Sequence, residues 1–348
     1  MCIRDRHNSD RRTGVRLLLI FVVLAVGMML AGYTVYRNYA HHYRLEVESE
    51  LLSNAELKVA ELTQWRKERI GDGCQFLDNL AFAGLVRHCQ EKPEDAVTQR
   101  QLQDWLGKVQ RYGPYDSVRL LDAQGHPVFS VPPQASPVAA SVAQRIPEVL
   151  RSNQMTFVDF YRNEHDQRIY LALLVPVREE REGSQPLGVL LLRMDPGRYL
   201  YPVIQRWPTP SASAETLLVR RQAHDVLYLN ELRHQTNAAL ALRLSQEHTE
   251  TPVVKAALGQ SGILDGTDYR GVPVIVAAQA VPDSPWSLVA KIDLAEVNAS
   301  MRERLGQMLA LLGALLLGAG AWLVWSGGSC RSGSIGNRRN WKPTPDAW

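Results

Sequence analysis

Apolar and polar positions are unevenly distributed along the chain. Two stretches, 17–36 (LLLIFVVLAVGMMLAGYTVY) and 306–325 (GQMLALLGALLLGAGAWLVW), are free of charge. Each has about 20 residues, the length an α-helix needs to cross the hydrocarbon of a bilayer. The first run is longer than the roughly 7–15-residue core of a signal peptide. No small-x-small cleavage pattern follows it, only Arg37-Asn38-Tyr39, so the pattern predicts an uncleaved anchor. The second run ends in Trp322 and Trp325, aromatic residues suited to a membrane–water boundary.

Between the two runs the periodicity changes twice. From Arg37 to about Leu85 there is no proline, and the spacing predicts one long helix. Leu45, Leu52 and Val59 recur every seventh residue, with Ala55 and Leu62 as a second row. This seam suits a partner helix in a dimer, or the chain's own domain. Gly71 and Gly73 weaken the helix and suggest a bend. A short helix is expected at 97–109. Then period-2 alternation predicts strands at 118–122, 126–130, 155–161, 168–177 and 187–194. A loop with a short helix follows Pro132, and 179–186 reads as an exposed hairpin loop. Asp195 is placed to cap a helix reaching about Ile204.

The second half repeats this order. Strands are expected at 216–221 and 225–229, then a helix through Leu240, Leu242 and Leu244 with a further helical stretch at 253–258. Strands follow at 262–264, 272–281 and 286–292, and Asp293 is placed to cap the helix leading to the second apolar run. Gln124, His126 and Val128 match Gln222, His224 and Val226, each 98 positions on, and Asp195 matches Asp293 at the same offset. Distant anchors sharing one offset point to a duplicated α+β unit.

Flanking charge adds an orientation. Arg4, Arg6, Arg11, Arg12 and Arg16 precede the first run, and Arg331, Arg338, Arg339 and Lys342 follow the second. Positive residues remain cytoplasmic, so both ends are expected inside and about 37–305 outside, in a bacterial cell membrane. The formal net charge is +3, with no basic stripe that would read nucleic acid. Cys2 and Cys330 fall at the cytoplasmic ends. Cys74 and Cys89 fall outside, where they are either paired or free and buried. No Cys/His spacing suggests a metal, and no phosphate loop, zinc-protease pattern or nucleophile turn suggests an enzyme. No cofactor is expected. Residues 1–6 (MCIRDR) read as a sequencing artefact. The tail 326–348 lacks periodicity and reads as out of frame, which would leave a cytoplasmic output module missing.

Several stretches resemble the double Cache sensor family. They are Trp65-Arg-Lys-Glu-Arg69, the run from Trp207 to Thr216, Tyr228-Leu-Asn-Glu-Leu-Arg-His234, Asp268-Tyr-Arg-Gly-Val-Pro-Val274, and Pro285-Trp286. The resemblance covers about 37–305, and the stretches look like the sensor portions of membrane-bound, PAS-containing histidine kinases and hybrid kinases. It implies an α+β fold in which two transmembrane helices flank a long stalk helix and two tandem PAS-like modules with antiparallel sheets. The implied segments are a cytoplasmic N-terminus at 1–16, spans at 17–36 and 306–325, a stalk helix at 37–89, a membrane-distal module at 90–205 and a membrane-proximal module at 206–298. The implied function is to bind a small extracytoplasmic ligand and signal through the second span, as the input half of a histidine kinase; the stalk seam adds the expectation of a homodimer. A diguanylate cyclase, a chemoreceptor, a membrane-anchored enzyme and a partner-binding protein are the alternatives.

A PAS-like pocket holds a few fixed polar groups in an apolar cavity. The first-module candidates are Arg119, Asp159, Tyr161, Arg162 and Tyr170. Either arginine can clamp a carboxylate with two bonds, Asp159 can receive an amine, and the tyrosines can wall the cavity and donate hydroxyls. The competing reading is a solvated strand face. The Arg-x-Trp-Tyr motif of the amino-acid-sensing branch is not found in the first module. In the second module Asp268, Tyr269 and Arg270 cluster before Gly271, and a structural surface ion pair across a turn is the expected role.

Overall fold

The structure, a computed structural model, describes residues 4–178 and 186–332. Packing divides the chain into two compact units, one formed by Met1–Val47 with Ala295–Trp348 and the other by Glu48–Leu294.

The first unit contains the apolar parts of two long helices, α1 (Arg4–Leu77) and α8 (Leu294–Ser332). Both are long and apolar enough to cross a membrane, with mean hydropathy of 2.2 and 1.6 over their most apolar stretches. Their apolar side chains are strongly exposed, Val23 at 69% and Leu317 at 77%. The helices approach closely at Gly32, where an added Cβ would lie 2.8 Å from Leu312 Cδ1. The Arg304 guanidinium sits 5.8 Å from the Tyr39 ring centroid.

In the second unit α1 does not reach Leu85. It ends at Leu77, and α2 (Leu80–Glu91) restarts after Asn79, whose side chain accepts the Phe82 N–H at 2.9 Å. α1 continues as helix through Gly71 and Gly73. At Gly73 an added Cβ would lie 2.6 Å from Leu173, so this glycine admits strand against helix. The seam also shifts. Leu45 is exposed, whereas Val47, Leu51, Ala55, Val59, Leu62 and Trp65 are buried. Their spacing of three and four residues is that of a straight helix packed on its own chain rather than a strict heptad. α3 (Ala96–Tyr112) carries Trp105, which stacks on Phe82 of α2 at 4.2 Å.

Two antiparallel sheets follow. The first contains β1 (Ser117–Leu121), β2 (Pro127–Val131), β3 (Thr156–Arg162), β4 (Ile169–Val177) and β5 (Gly188–Met194), in the order β2-β1-β5-β4-β3. Short helices α4 (Ala140–Ala143) and α5 (Ile146–Ser152) lie between β2 and β3. After β5 a 3-10 turn, Pro196–Arg198, is capped by Asp195, which accepts the Gly197 N–H at 2.8 Å, and α6 (Leu200–Gln205) follows. Most of the expected loop at 179–186 lies outside the described residues.

The second sheet contains β6 (Glu215–Gln222), β7 (Asp225–Tyr228), β8 (Arg243–Ser245), β9 (Gly262–Thr267), β10 (Pro273–Ala280) and β11 (Trp286–Asp293), ordered β8-β7-β6-β11-β10-β9. Helix α7 (Pro252–Ala257) precedes β9. The expected helix through Leu240–Leu244 is a turn followed by edge strand β8. Leu240 has a positive φ of 55°, which interrupts a helix. Asp293 ends β11, and its carboxylate receives the Arg270 guanidinium.

Without edge strand β8 the two sheets share one order. The starts of β1, β2 and β5 lie 98 residues before those of β6, β7 and β11. This is the two-module α+β architecture that the double Cache resemblance implies.

Candidate functional site

Side chains alternate across a strand, so pairing register decides which residues share a face. β1 pairs with β5 so that Ser117 opposes Arg193, Arg119 opposes Leu191 and Leu121 opposes Val189. β4 pairs with β5 at Ala172 and Arg193, and with β3 at Tyr170 and Tyr161. Ser117, Arg119, Arg193, Tyr170 and Tyr161 therefore lie on one face. Leu121, Tyr161, Tyr170, Ala172, Leu174, Val189 and Leu191 of that face form one apolar cluster with Val142 of α4 and Ile146 and Val149 of α5.

Three expected residues thus converge. Arg119 is 2% exposed. One guanidinium nitrogen donates to the Ser136 carbonyl, while its Nε has no partner. Burial, reinforced by the charge of Arg193, pushes its pKa down to about 10. Ser117 Oγ, on the same face, is buried and unpartnered. Tyr161 and Tyr170 lie 6.2 Å apart between centroids, and burial raises both hydroxyl pKa values.

The structure adds residues that the sequence reading missed. Arg193 packs 4.1 Å over the Tyr170 ring, ion-pairs with Asp116 and donates to Ser136 Oγ at 2.8 Å. The Ser136 hydroxyl donates to Asp166, and so does the Tyr170 hydroxyl, at 3.0 Å. Burial acts to raise the Asp166 pKa, but the bonds from Ser136, the Arg168 N–H and Tyr170 outweigh it and leave it lowered. The buried Asn163 amide bonds Ser136 Oγ and the Pro137 carbonyl, both at 3.3 Å. Arg193 had a signal in the sequence: a lone charge in an otherwise apolar strand, Val189-Leu-Leu-Leu-Arg193.

Asp159 and Arg162 do not join this face. A register irregularity between Val158 and Tyr161 turns Asp159 away. Asp159 pairs with Arg220 of β6 and accepts the Trp286 indole N–H of β11 at 2.8 Å. Arg162 donates to the carbonyls of Gln167 and Ala239, each at 2.8 Å. Asp159 ties the first sheet to the second, and Arg162 ties it to the turn before β8.

The second-module cluster is present but buried. The Asp268 side chain is 1% exposed and receives Lys291 Nζ at 2.6 Å and Arg270 Nε at 2.7 Å. Lys291, also 1% exposed, lies 3.1 Å from Glu215, which accepts the Tyr269 hydroxyl at 3.0 Å. The expected surface pair is thus part of a buried network. Burial opposes the charge on Asp268, and the bonds from Lys291 and Arg270 outweigh it and lower its pKa. Among the described residues no cluster of His, Cys, Asp and Glu is arranged to hold a metal.

No family model and no curated relative matches the chain. Several solved structures are similar to it at low identity. The ligand-binding domain of the Pseudomonas fluorescens chemoreceptor CtaA, in complex with L-serine, has 15% identity and a TM-score of 0.45, covering 72% of this chain and 98% of that one. The ligand-binding domain of the Pseudomonas aeruginosa amino acid chemoreceptor PctB, with L-Arg, has 16% identity and a TM-score of 0.46, covering 72% and 96%. The ligand-binding domain of Mlp24 with asparagine has 15% identity and a TM-score of 0.47, covering 74% and 99%.

Proposed function

We propose that this chain is the input portion of a membrane signal-transduction sensor, and that its first module binds a small anionic ligand against Arg119. The observation that carries the reading is the buried Arg119 guanidinium, which has no carboxylate partner and an unused Nε beside the unpartnered Ser117 hydroxyl. A buried charge is costly unless it is paired. Arg193 cannot neutralise Arg119, and Asp116 is already bound to Arg193. A carboxylate placed against Arg119 would supply the missing charge and acceptors, with Tyr161 as a hydroxyl donor.

The exposed apolar sides of α1 and α8 support a membrane setting, because such surface is unfavourable in water. In this reading 17–36 and 306–325 cross the inner membrane, 37–305 is periplasmic, and α8 carries the signal inward. The modules span 90–205 and 206–298. The resemblance favours a histidine kinase as the output, with a cyclase or chemoreceptor as the other outcomes. Autophosphorylation by the protein isolated from its native membrane would support the kinase, and cyclic di-GMP synthesis from GTP would replace it. The seam along the stalk helix is the ground for a homodimer; sedimentation of the detergent-solubilised chain at one protomer mass would remove it.

The ligand reading is tested by thermal unfolding of the full chain in detergent with a panel of small carboxylates. The expected result is a rise of several degrees with one of them, lost in Arg119→Met and kept in Arg162→Ala. A rise that survives Arg119→Met, or no rise with any anion, rejects this site.

A further inference from the structure

The first-sheet face holds polar groups of two kinds, satisfied and unsatisfied. Arg193 is satisfied. Its Nε lies 2.9 Å from Asp116, a second nitrogen bonds the same carboxylate oxygen, and the third donates to Ser136 Oγ at 2.8 Å. The Ser136 carbonyl accepts from Arg119, so this one residue fixes both guanidinium groups. Two buried groups remain unmet, Arg119 Nε and Ser117 Oγ. They belong to alternate residues of β1 and so share a face. Tyr161 of β3 adds a hydroxyl to that face.

The acids bonded to this face or to its cover are already committed. Asp116 receives Arg193, and its other oxygen lies 3.7 Å from Arg198. Asp166 receives the Ser136 and Tyr170 hydroxyls and the Arg168 N–H. Glu164 is exposed and accepts the Ala140 N–H of α4 at 2.7 Å. The Asn163 side-chain oxygen accepts the His165 N–H at 3.1 Å. Asp159, the residue expected to receive an amine, is bonded to Arg220 and Trp286 of the second sheet.

We infer that the ligand of this face is a small hydroxy or keto acid, and that α-amino acids of the same size are rejected. The inference rests on a carboxylate seated against Arg119, as proposed above, and adds what stands next to that carboxylate. An ammonium group there would be a third positive charge beside Arg119 and Arg193. Among the described residues no uncommitted carboxylate of the face is left to receive it, and like charges brought together in a desolvated site are strongly unfavourable. Taking Asp166 for the purpose would release the Ser136 and Tyr170 hydroxyls, both of which contact Arg193. An uncharged oxygen suits the unmet groups instead. Ser117 Oγ can donate to it or accept from it, and the Tyr161 hydroxyl can donate to it.

The test is thermal unfolding of the full chain in detergent at neutral pH, with matched sets of acids that differ in one group. One set is propionate, DL-lactate and DL-alanine, and the other is succinate, DL-malate and DL-aspartate. In at least one set the hydroxy acid should raise Tm by several degrees. Its half-maximal concentration should lie about tenfold or more below that of its amino acid, and also below that of the plain acid. The advantage over the plain acid should vanish when Ser117→Ala and Tyr161→Phe are combined, a change that removes hydroxyls and adds no charge. An amino acid that matches its hydroxy acid, with both shifts lost in Arg119→Met, overturns the inference and leaves the Arg119 site standing. So does a plain acid that matches its hydroxy acid, or a hydroxy-acid advantage that survives the double variant. No shift with any of the six overturns the inference alone if another carboxylate raises Tm through Arg119, and overturns it together with the site if none does.

Discussion

The two modules place different chemistry on the same strand positions. Ser117, Arg119, Leu121 and Arg193 of the first sheet correspond, 98 positions on, to Glu215, Leu217, Val219 and Lys291 of the second. In both sheets a cation on the last strand faces the first residue of the first strand. In the first sheet that residue is Ser117, which offers no charge. In the second it is Glu215, and Asp268 adds a second carboxylate. The position of Arg119 becomes Leu217, part of an apolar cluster with Val253 and Val254 of α7. The covering segment also closes down further. Register places Gly266 where the first sheet has Tyr161, and a Cβ there would lie 2.6 Å from Pro252 and 2.9 Å from the Glu250 carbonyl. One scaffold thus supports a face with an unmet buried charge and a face neutralised from within. Charge balance, not strand order, separates them.

The largest effect should come from unbalancing the neutralised face. Lys291→Met leaves Asp268 and Glu215 buried without their shared cation, and about 3–5 kcal/mol of stability should be lost. Urea unfolding of the detergent-solubilised chain measures it, and a loss below about 1 kcal/mol would mean the network is not charged as described. Gly266→Ala comes next. The methyl group meets backbone and a proline ring rather than a flexible side chain, so a cost of about 1–3 kcal/mol is expected in the same assay. A neutral result would show that α7 can lift from the sheet.

Arg119→Met should behave oppositely. Replacing an unpaired buried cation with an apolar side chain of similar length should leave the ligand-free chain unchanged, or stabilise it by up to about 1 kcal/mol. A clear destabilisation would mean that Arg119 is a structural residue, and the contrast between the faces would fail.

A pH-dependent effect belongs to Lys58 of α1. Its ammonium donates to the carbonyls of Ile204 and Arg206 and to Thr216 Oγ1. Burial pushes its pKa down to about 8, against the opposing pull of Glu61. A folded pKa below the unfolded value means that the unfolded chain binds more protons between the two. Stability should therefore rise with pH from about 8 toward about 10.4. Comparing Tm for the wild type and Lys58→Met across that window isolates the effect. Parallel curves would refute it.

Much of this architecture was legible in the primary structure. The two apolar runs and most strands follow from hydrophobic patterning, because burying one face of a strand or helix imposes its repeat on the sequence, and the 98-residue offset follows from residues that recur at that spacing. The paired tyrosines and Arg119 were readable as polar groups within such strands. Only the tertiary structure decided which polar groups meet. Asp159 and Arg119 look alike in the sequence as charges on predicted strands. An irregular register in β3 sends one to the second sheet, and the regular β1–β5 pairing turns the other inward. The pairing of Asp268 depended likewise on a residue far away in the chain, Lys291. Periodicity is a local consequence of burial, whereas charge pairing is settled between segments that only folding brings together.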